Sequence, residues 1–151
     1  MKRRKFLLWL SVSFLLFPLS SCAAHTENPV NTPGGETAKL LGDWTGESIC
    51  VNKEKFPACN DEKVVYHIKA VDNKANTVNL SADKIVNGKP EFMAAFDFIY
   101  DPKKQTLTTE VKNERVHFLI ELAVKGDVLD GGMISLPDKI QARQIKVKKD
   151  K

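Results

Sequence analysis

Residues 40–50 read LLGDWTGESIC and open the part of the chain that we expect to fold. Gly42 followed by Trp44 at the start of a strand is typical of the first strand of a barrel. The indole of Trp44 would close one end of such a barrel, provided that a residue from the far end of the chain covers it. The stretch therefore predicts a closed sheet in which the first and last strands are neighbours.

The rest of the domain alternates apolar and polar residues in short runs that are separated by turn signals. Such alternation indicates half-buried strands, and Asn87-Gly88 is the strongest hairpin signal in the chain. A sandwich is the alternative, but tight sequential hairpins favour a meander, and closing it removes both exposed edges. We expect an all-β, eight-stranded antiparallel up-and-down barrel with strands at 42–50, 65–72, 77–83, 92–100, 106–112, 116–124, 129–135 and 139–148.

Residues 1–21 have the features of an export signal, with a basic start at 2–5, an apolar run at 6–17 and small residues before Cys22. A membrane-spanning helix needs roughly 20 apolar residues, so this run is short for an anchor. The sequence up to Cys22 resembles the lipobox of bacterial lipoproteins, which implies that Cys22 is lipidated and attaches the protein to a membrane. Ala23 after it implies sorting to the outer membrane, facing the periplasm or exposed at the cell surface. An ordinary secretory signal is the alternative.

Residues 22–38 are rich in proline, glycine and polar side chains, and we expect a flexible tether there. The whole chain has 23 Lys and Arg against 19 Asp and Glu, a net charge of +4. Four of the basic residues belong to the signal, which contains no acid, so the remaining chain is formally neutral. The basic sequence pI is therefore no argument for a nucleic-acid partner.

Residues 39–151 are enough for one domain with one core. Cys50 and Cys59 lie within one loop, and in an exported protein such a pair predicts a disulfide worth about 2–3 kcal/mol in the loop-entropy model. A metal site is the competing interpretation, but two cysteines without a nearby histidine fall short of four ligands. We therefore expect no metal and no cofactor.

The last strand carries an arginine on its apolar face. Arg143 lies two residues before Ile145 and four before Val147, and such residues share one face of a strand. A buried guanidinium needs a partner, and stacking on the indole of Trp44 would contribute roughly 0.5–2 kcal/mol. The sequence thus predicts that Arg143 covers Trp44. The alternative is a bulge that turns Arg143 outward.

With Gly42, Trp44 and Arg143 the chain resembles the calycin superfamily of lipocalins, fatty-acid-binding proteins and avidins. In lipocalins an Arg or Lys of the last strand covers the first-strand Trp, as Arg143 is predicted to do here. The resemblance also implies a barrel that binds a small ligand. The chain has no clear second lipocalin motif and no C-terminal helix, which favours a compact barrel. Bacterial metalloprotease inhibitors, which also combine a small barrel, an early Trp and a disulfide, are a second resemblance.

Catalysis is not indicated. His67 and His117 are predicted to face outward on separated strands, and Ser48 has no histidine on its own face to act as a base. The sequence instead predicts that the barrel interior binds a small apolar or amphipathic ligand. The side chains predicted to line this interior are Tyr66, Ala82, Phe92, Phe96, Phe98, Tyr100, Thr109, Phe118, Met133 and Gln141. The alternative is a protein-interaction or inhibitor module that uses the 50–59 loop or the tether.

Overall fold

A computed structural model describes residues 35–151. The predicted signal, Cys22 and residues 22–34 of the predicted tether lie outside the described residues. The described part is a closed, all-antiparallel barrel with the strand order β1-β2-β3-β4-β5-β6-β7-β8, which confirms the predicted fold. A short 3₁₀ helix, Ala38–Leu40, precedes the strands β1 Gly42–Cys50, β2 Glu62–Ala70, β3 Thr77–Val86, β4 Lys89–Asp101, β5 Thr106–Lys112, β6 His117–Lys125, β7 Val128–Ser135 and β8 Ile140–Lys149.

Short turns join most of the strands. Asn87 and Gly88 both have positive φ, of 52° and 77°, as a two-residue turn of the type I′ kind requires between β3 and β4. Strands β1 and β8 approach each other closely at Gly46. A Cβ atom added to Gly46 would collide with the carbonyl of Lys146 on β8. Glycine at position 46 is therefore needed for the first and last strands to pair.

The core fills the end of the barrel at which β1 begins and β8 ends, which we call the closed end. Trp44 is fully buried there beside Leu40, and both belong to one cluster of buried side chains. The chain before β1 also belongs to the fold, since Thr37 is buried and the 3₁₀ helix follows it. Residues 35–38, which the sequence analysis assigns to the tether, form a turn and the start of the 3₁₀ helix that brings Leu40 into the core. The other members of the cluster are Val64, Tyr66, Ile68, Val78, Leu80, Phe98, Tyr100, Leu107, Leu122, Val124, Leu129, Ile145 and Val147.

Two bulges change which residues face inward. In β4 the register moves from Ala82↔Ala94 to Asp83↔Phe92, so Met93 is an extra residue and Phe92 lies on the outer face, 68% exposed. In β8 the register moves from Met133↔Arg143 to Ile134↔Gln141, so Ala142 is extra and Gln141 is exposed. The predictions that Phe92 and Gln141 line the interior are wrong, because each bulge reverses the alternation beyond it.

The ladder between β4 and β5 is short. These strands, which lie wholly within the described residues, pair only at Ile99↔Thr108, Tyr100↔Leu107 and Asp101↔Thr106, next to their connecting turn. By contrast, β3 and β4 pair from Thr77↔Ile99 to Val86↔Lys89. The barrel wall is therefore divided between β4 and β5 from about Phe98 towards the other end, which we call the open end.

Candidate functional site

The cation that covers Trp44 is a lysine. Trp44 pairs with Lys149 across the β1–β8 ladder, and the Lys149 Nζ lies 5.7 Å from the centroid of the indole ring. The same Nζ donates a hydrogen bond of 2.8 Å to the carbonyl of Lys39, and the Trp44 Nε1 donates one of 2.9 Å to the carbonyl of Leu40. The first and last strands do close the barrel over Trp44, as predicted, but through Lys149.

Arg143 lies near the open end, and the predicted stacking of Arg143 on Trp44 is wrong. In the β1–β8 register Arg143 pairs with Cys50, six residues along β1 from Trp44, which is roughly 20 Å in a strand. The face of β8 on which Arg143 lies was predicted correctly, since its side chain is directed inward and is 14% exposed. The error concerns the level along the barrel axis, because antiparallel pairing places a residue near the start of β1 beside the end of β8.

Arg143 is the centre of a polar cluster with Ser48, Asn60, Glu62 and Cys59. Its Nε donates to the Ser48 Oγ at 2.8 Å, and its Nη2 donates to the Glu62 Oε2 at 2.6 Å and to the Asn60 carbonyl at 2.8 Å. A third contact of Nη2, at 3.2 Å, reaches the Ser48 carbonyl, and Nη1 lies 3.4 Å from the Cys59 Sγ. The guanidinium thus joins β1, β2 and β8 where the disulfide loop begins and ends.

Tyr66 lies beside this cluster in the interior. Burial raises the pKa of the Tyr66 phenol to about 12, against the opposing field of Arg143. The phenol therefore stays neutral at physiological pH and can act as a hydrogen-bond donor. A neutral phenol and an ion-paired arginine leave this side of the interior polar but uncharged overall.

The Cys50–Cys59 loop is held against the open end of the barrel. The predicted disulfide is confirmed, with the two Cα atoms 6.0 Å apart. The ring of Phe56 packs against Phe118 of β6, with the centroids 6.0 Å apart, and the Lys55 Nζ lies 3.1 Å from the Asp138 carboxylate of the β7–β8 turn. The loop therefore crosses the open end from β1 and β2 towards β6, β7 and β8.

The remaining side chains predicted to line the interior fall into two groups. Phe98 and Tyr100 are fully buried in the closed end, and the hydroxyl of Tyr100 has no hydrogen-bond partner among the described residues. The second group lies farther from the closed end and is only half-buried. Its members are Ala82, Phe96, Thr109, Phe118 and Met133.

Sequence reasoning missed two apolar residues of this half-buried surface. Met93 and Ile120 are partly buried and pack against the core. The alternation places Ile120 on the same face as Phe118, although it was not among the predicted lining residues, whereas Met93 is turned inward by the bulge of β4 and no pattern predicted it. Together with Phe96 they are half-buried apolar side chains on β4 and β6, the two neighbours of β5.

His67 and His117 contact carboxylates on the outer face of the barrel. The His67 Nδ1 lies 2.8 Å from the Asp43 Oδ1, and its Nε2 lies 3.3 Å from the Asp83 Oδ2. The hydrogen bond to Asp43 raises the pKa of His67, with a smaller contribution from Asp83, against the effect of burial. The His117 Nε2 lies 2.5 Å from the Glu110 Oε1.

Within residues 35–151, no group of three or more His, Cys, Asp or Glu side chains is arranged to hold a metal ion. None of the helical structure in that range is long and apolar enough to cross a membrane.

Comparison with known proteins adds no assignment to this geometry. No protein-family model matches the chain, and no curated protein matches it in sequence.

Proposed function

We propose that the barrel binds a small amphipathic ligand in its open half. The observation that carries the proposal is the half-buried apolar surface of Met93, Phe96 and Ile120, which faces inward and packs on the core but is not covered by it. An apolar surface inside a barrel that retains solvent exposure is the kind of surface that apolar ligands cover.

The charges around this surface favour a ligand with a long apolar part. Arg143, which faces inward, is paired with Glu62, so this interior charge is already neutralised. Each buried CH₂ group contributes about 0.8 kcal/mol, and a micromolar affinity corresponds to about 8 kcal/mol. A ligand with about ten methylenes supplies that energy before the cost of association.

Filling the interior tests this proposal. Ala94 faces the interior opposite Ala82, whereas its neighbour Ala95 is exposed on the outer face. We expect Ala94→Phe to weaken the binding of anilinonaphthalene sulfonate by about tenfold or more, a difference of about 1.4 kcal/mol, because the added ring occupies the site. Fluorescence titration measures the affinity, and far-UV circular dichroism checks that the variant is folded.

The matched control is Ala123→Phe, which adds the same ring on the outer face of β6, where Ala123 pairs with Thr106 and Asp130 in complete ladders away from the divided wall. We expect its affinity to equal that of the unchanged chain. Equal weakening by both substitutions, or no binding of the probe by the unchanged chain, would contradict the proposal.

We propose further that the protein is exported and is held on a membrane through a lipid on Cys22, facing the periplasm from the outer membrane or lying at the cell surface. The support is the lipobox-like sequence that ends at Cys22. Several acyl chains together hold a protein stably on a bilayer. Serine lacks the sulfur atom through which the lipid would be attached to Cys22. Cys22→Ser should therefore move the protein from the membrane pellet to the soluble fraction, as judged by immunoblotting. An unchanged distribution would exclude the lipid anchor.

A second candidate function is recognition of a protein by the Cys50–Cys59 loop. Ile49 and Val51 at the base of the loop are 36% and 51% exposed, and Pro57 is exposed at its tip. Phe56 itself packs on Phe118 and so is less available to a partner. A barrel that binds no amphipathic probe would leave this as the preferred function.

A further inference from the structure

The two cysteines of the disulfide differ in exposure and in their surroundings. Cys50 ends β1 and is buried, at 7% exposure, whereas Cys59 is half-buried in the loop. The Nη1 of Arg143 lies 3.4 Å from the Cys59 Sγ. The more accessible of the two sulfur atoms is therefore the one that faces a guanidinium N–H, and a cross-link that only stabilises the fold needs neither feature.

The guanidinium of Arg143 is held in place by atoms other than sulfur. Its Nε donates to the Ser48 Oγ, and its Nη2 donates to the Glu62 carboxylate and to the Asn60 carbonyl. Glu62 contacts Nη2, so the Nη1 N–H is left for the sulfur of Cys59. If the disulfide is broken, this N–H stays directed at Cys59, and a thiolate there accepts a charge-assisted hydrogen bond.

The loop also keeps its shape through contacts that do not involve sulfur. The Asp61 carboxylate accepts a hydrogen bond of 2.9 Å from the backbone N–H of Cys50 and one of 3.1 Å from the Lys53 Nζ. The backbone N–H of Cys59 donates to the Phe56 carbonyl at 3.0 Å. The two thiols of the reduced protein should therefore remain neighbours, as a disulfide that opens and re-forms requires.

We propose that Cys50 and Cys59 are a redox-active pair that reduces small disulfides, with Cys59 as the attacking thiolate and Arg143 as the group that stabilises it. The Cys59 thiolate attacks one sulfur of the substrate, so that a mixed disulfide forms and the other half leaves as a thiolate, which takes a proton from water. Cys50 then loses its proton and attacks the Cys59 Sγ. The intramolecular disulfide re-forms, and the second half of the substrate leaves as a thiol with that proton. The substrate gains the two electrons that the cysteine pair loses.

A small dithiol returns the pair to its reduced state. One of its sulfurs attacks the accessible Cys59 Sγ and releases Cys50 as a thiol, and the other then displaces the Cys59 thiolate while the dithiol closes to a cyclic disulfide. The half-buried position of Cys59 favours slender reactants over folded protein disulfides. This reaction does not depend on a ligand inside the barrel.

Alkylation tests whether the fold activates Cys59. A full chain with Cys22→Ser and Cys50→Ser has Cys59 as its only thiol. Its rate with iodoacetamide at neutral pH is measured folded and unfolded in urea, each relative to glutathione in the same solvent. We expect folded Cys59 to react about threefold faster or more, because about tenfold more thiolate is partly offset by its lower nucleophilicity. Half-burial without activation makes folded Cys59 the slower one, and that result would overturn the proposal.

Arg143→Met in the same background tests the source of the activation, and Arg115→Met, at an exposed loop position, is its matched control. We expect the folded-state gain to disappear in the first variant and to persist in the second. Far-UV circular dichroism checks that both are folded, and the comparison of folded with unfolded Cys59 stands without them. Equal gains in the two folded variants would exclude Arg143 as the stabilising group.

Exchange with hydroxyethyl disulfide, quenched with acid and followed by mass spectrometry, tests the roles of the two cysteines. The reduced Cys22→Ser chain should end with its intramolecular disulfide, whereas the added Cys50→Ser should accumulate a mixed disulfide on Cys59. With Cys59→Ser in place of Cys50→Ser, we expect the mixed disulfide to form about tenfold more slowly or less, since Cys50 is buried. Equal rates for these two variants, or loss of the fold on reduction of the Cys22→Ser chain, would overturn the redox role. Neither result would affect the proposed ligand binding, which is measured with the disulfide intact.

Discussion

Replacing Arg143 by methionine should lower the free energy of unfolding by about 2–4 kcal/mol. The substitution keeps much of the side-chain volume but removes the donors that serve Ser48, Asn60 and Glu62. Glu62 is 24% exposed, so its carboxylate would be left partly desolvated without its partner. Urea unfolding, followed by tryptophan fluorescence with the disulfide intact, measures the change.

The control for this variant is Arg115→Met. Arg115 is exposed in the loop between β5 and β6, and we expect its replacement to change stability by no more than about 0.5 kcal/mol. Adding Glu62→Gln to Arg143→Met should recover part of the loss, since the unpaired charge is then gone. A loss below about 1 kcal/mol for Arg143→Met would show that the cluster is not a stabilising centre of the fold.

Replacing Trp44 by alanine should cost about 3–5 kcal/mol, the range for truncating a large buried aromatic side chain. The indole is fully buried, donates to the Leu40 carbonyl and lies under Lys149. Its removal opens a cavity at the closed end and leaves the Leu40 carbonyl without this donor. Chemical unfolding, followed by far-UV circular dichroism because the indole probe is lost, measures the change.

Two comparisons make this second experiment specific. Phe92→Ala removes an exposed aromatic ring and should alter stability by no more than about 0.5 kcal/mol. A double-mutant cycle should detect coupling of Trp44 with Lys149, and additivity of Trp44 with Arg143, which lies near the other end of the barrel. Coupling of Trp44 with Arg143 in place of Lys149 would contradict the register of the first and last strands.

The architecture was predictable from the sequence because alternation, turn residues and the absence of helical periodicity all indicated the same fold. Asn87-Gly88 marks its turn correctly, and parity placed Phe96, Phe118 and Met133 on the inner face. Parity failed at Phe92 and Gln141, because a bulge inserts one residue without any change in composition. The assignment of inward and outward side chains from alternation is therefore reliable only as far as the next bulge.

The candidate site was less predictable than the fold. The alternation of faces along β8 shows that Arg143 faces inward but does not give its position along the barrel axis. The partner of Trp44 follows only from the register of β1 with β8. The paired acid, Glu62, precedes the strand start that was predicted at residue 65, so no inward position was assigned to it. The short β4–β5 ladder has no sequence signature, since it depends on how two individually regular strands diverge.

The divided wall also bears on how the protein avoids aggregation. An exposed strand edge can pair with the edge of another molecule, and proteins limit this with proline, charged residues and bulges on the edge strand. The β4 strand begins with Lys89, Pro90 and Glu91 and bulges at Met93, so it carries all three of these features along the divided stretch. Copies of this protein would thus resist joining edge to edge into fibrous assemblies, although the wall of each barrel is divided.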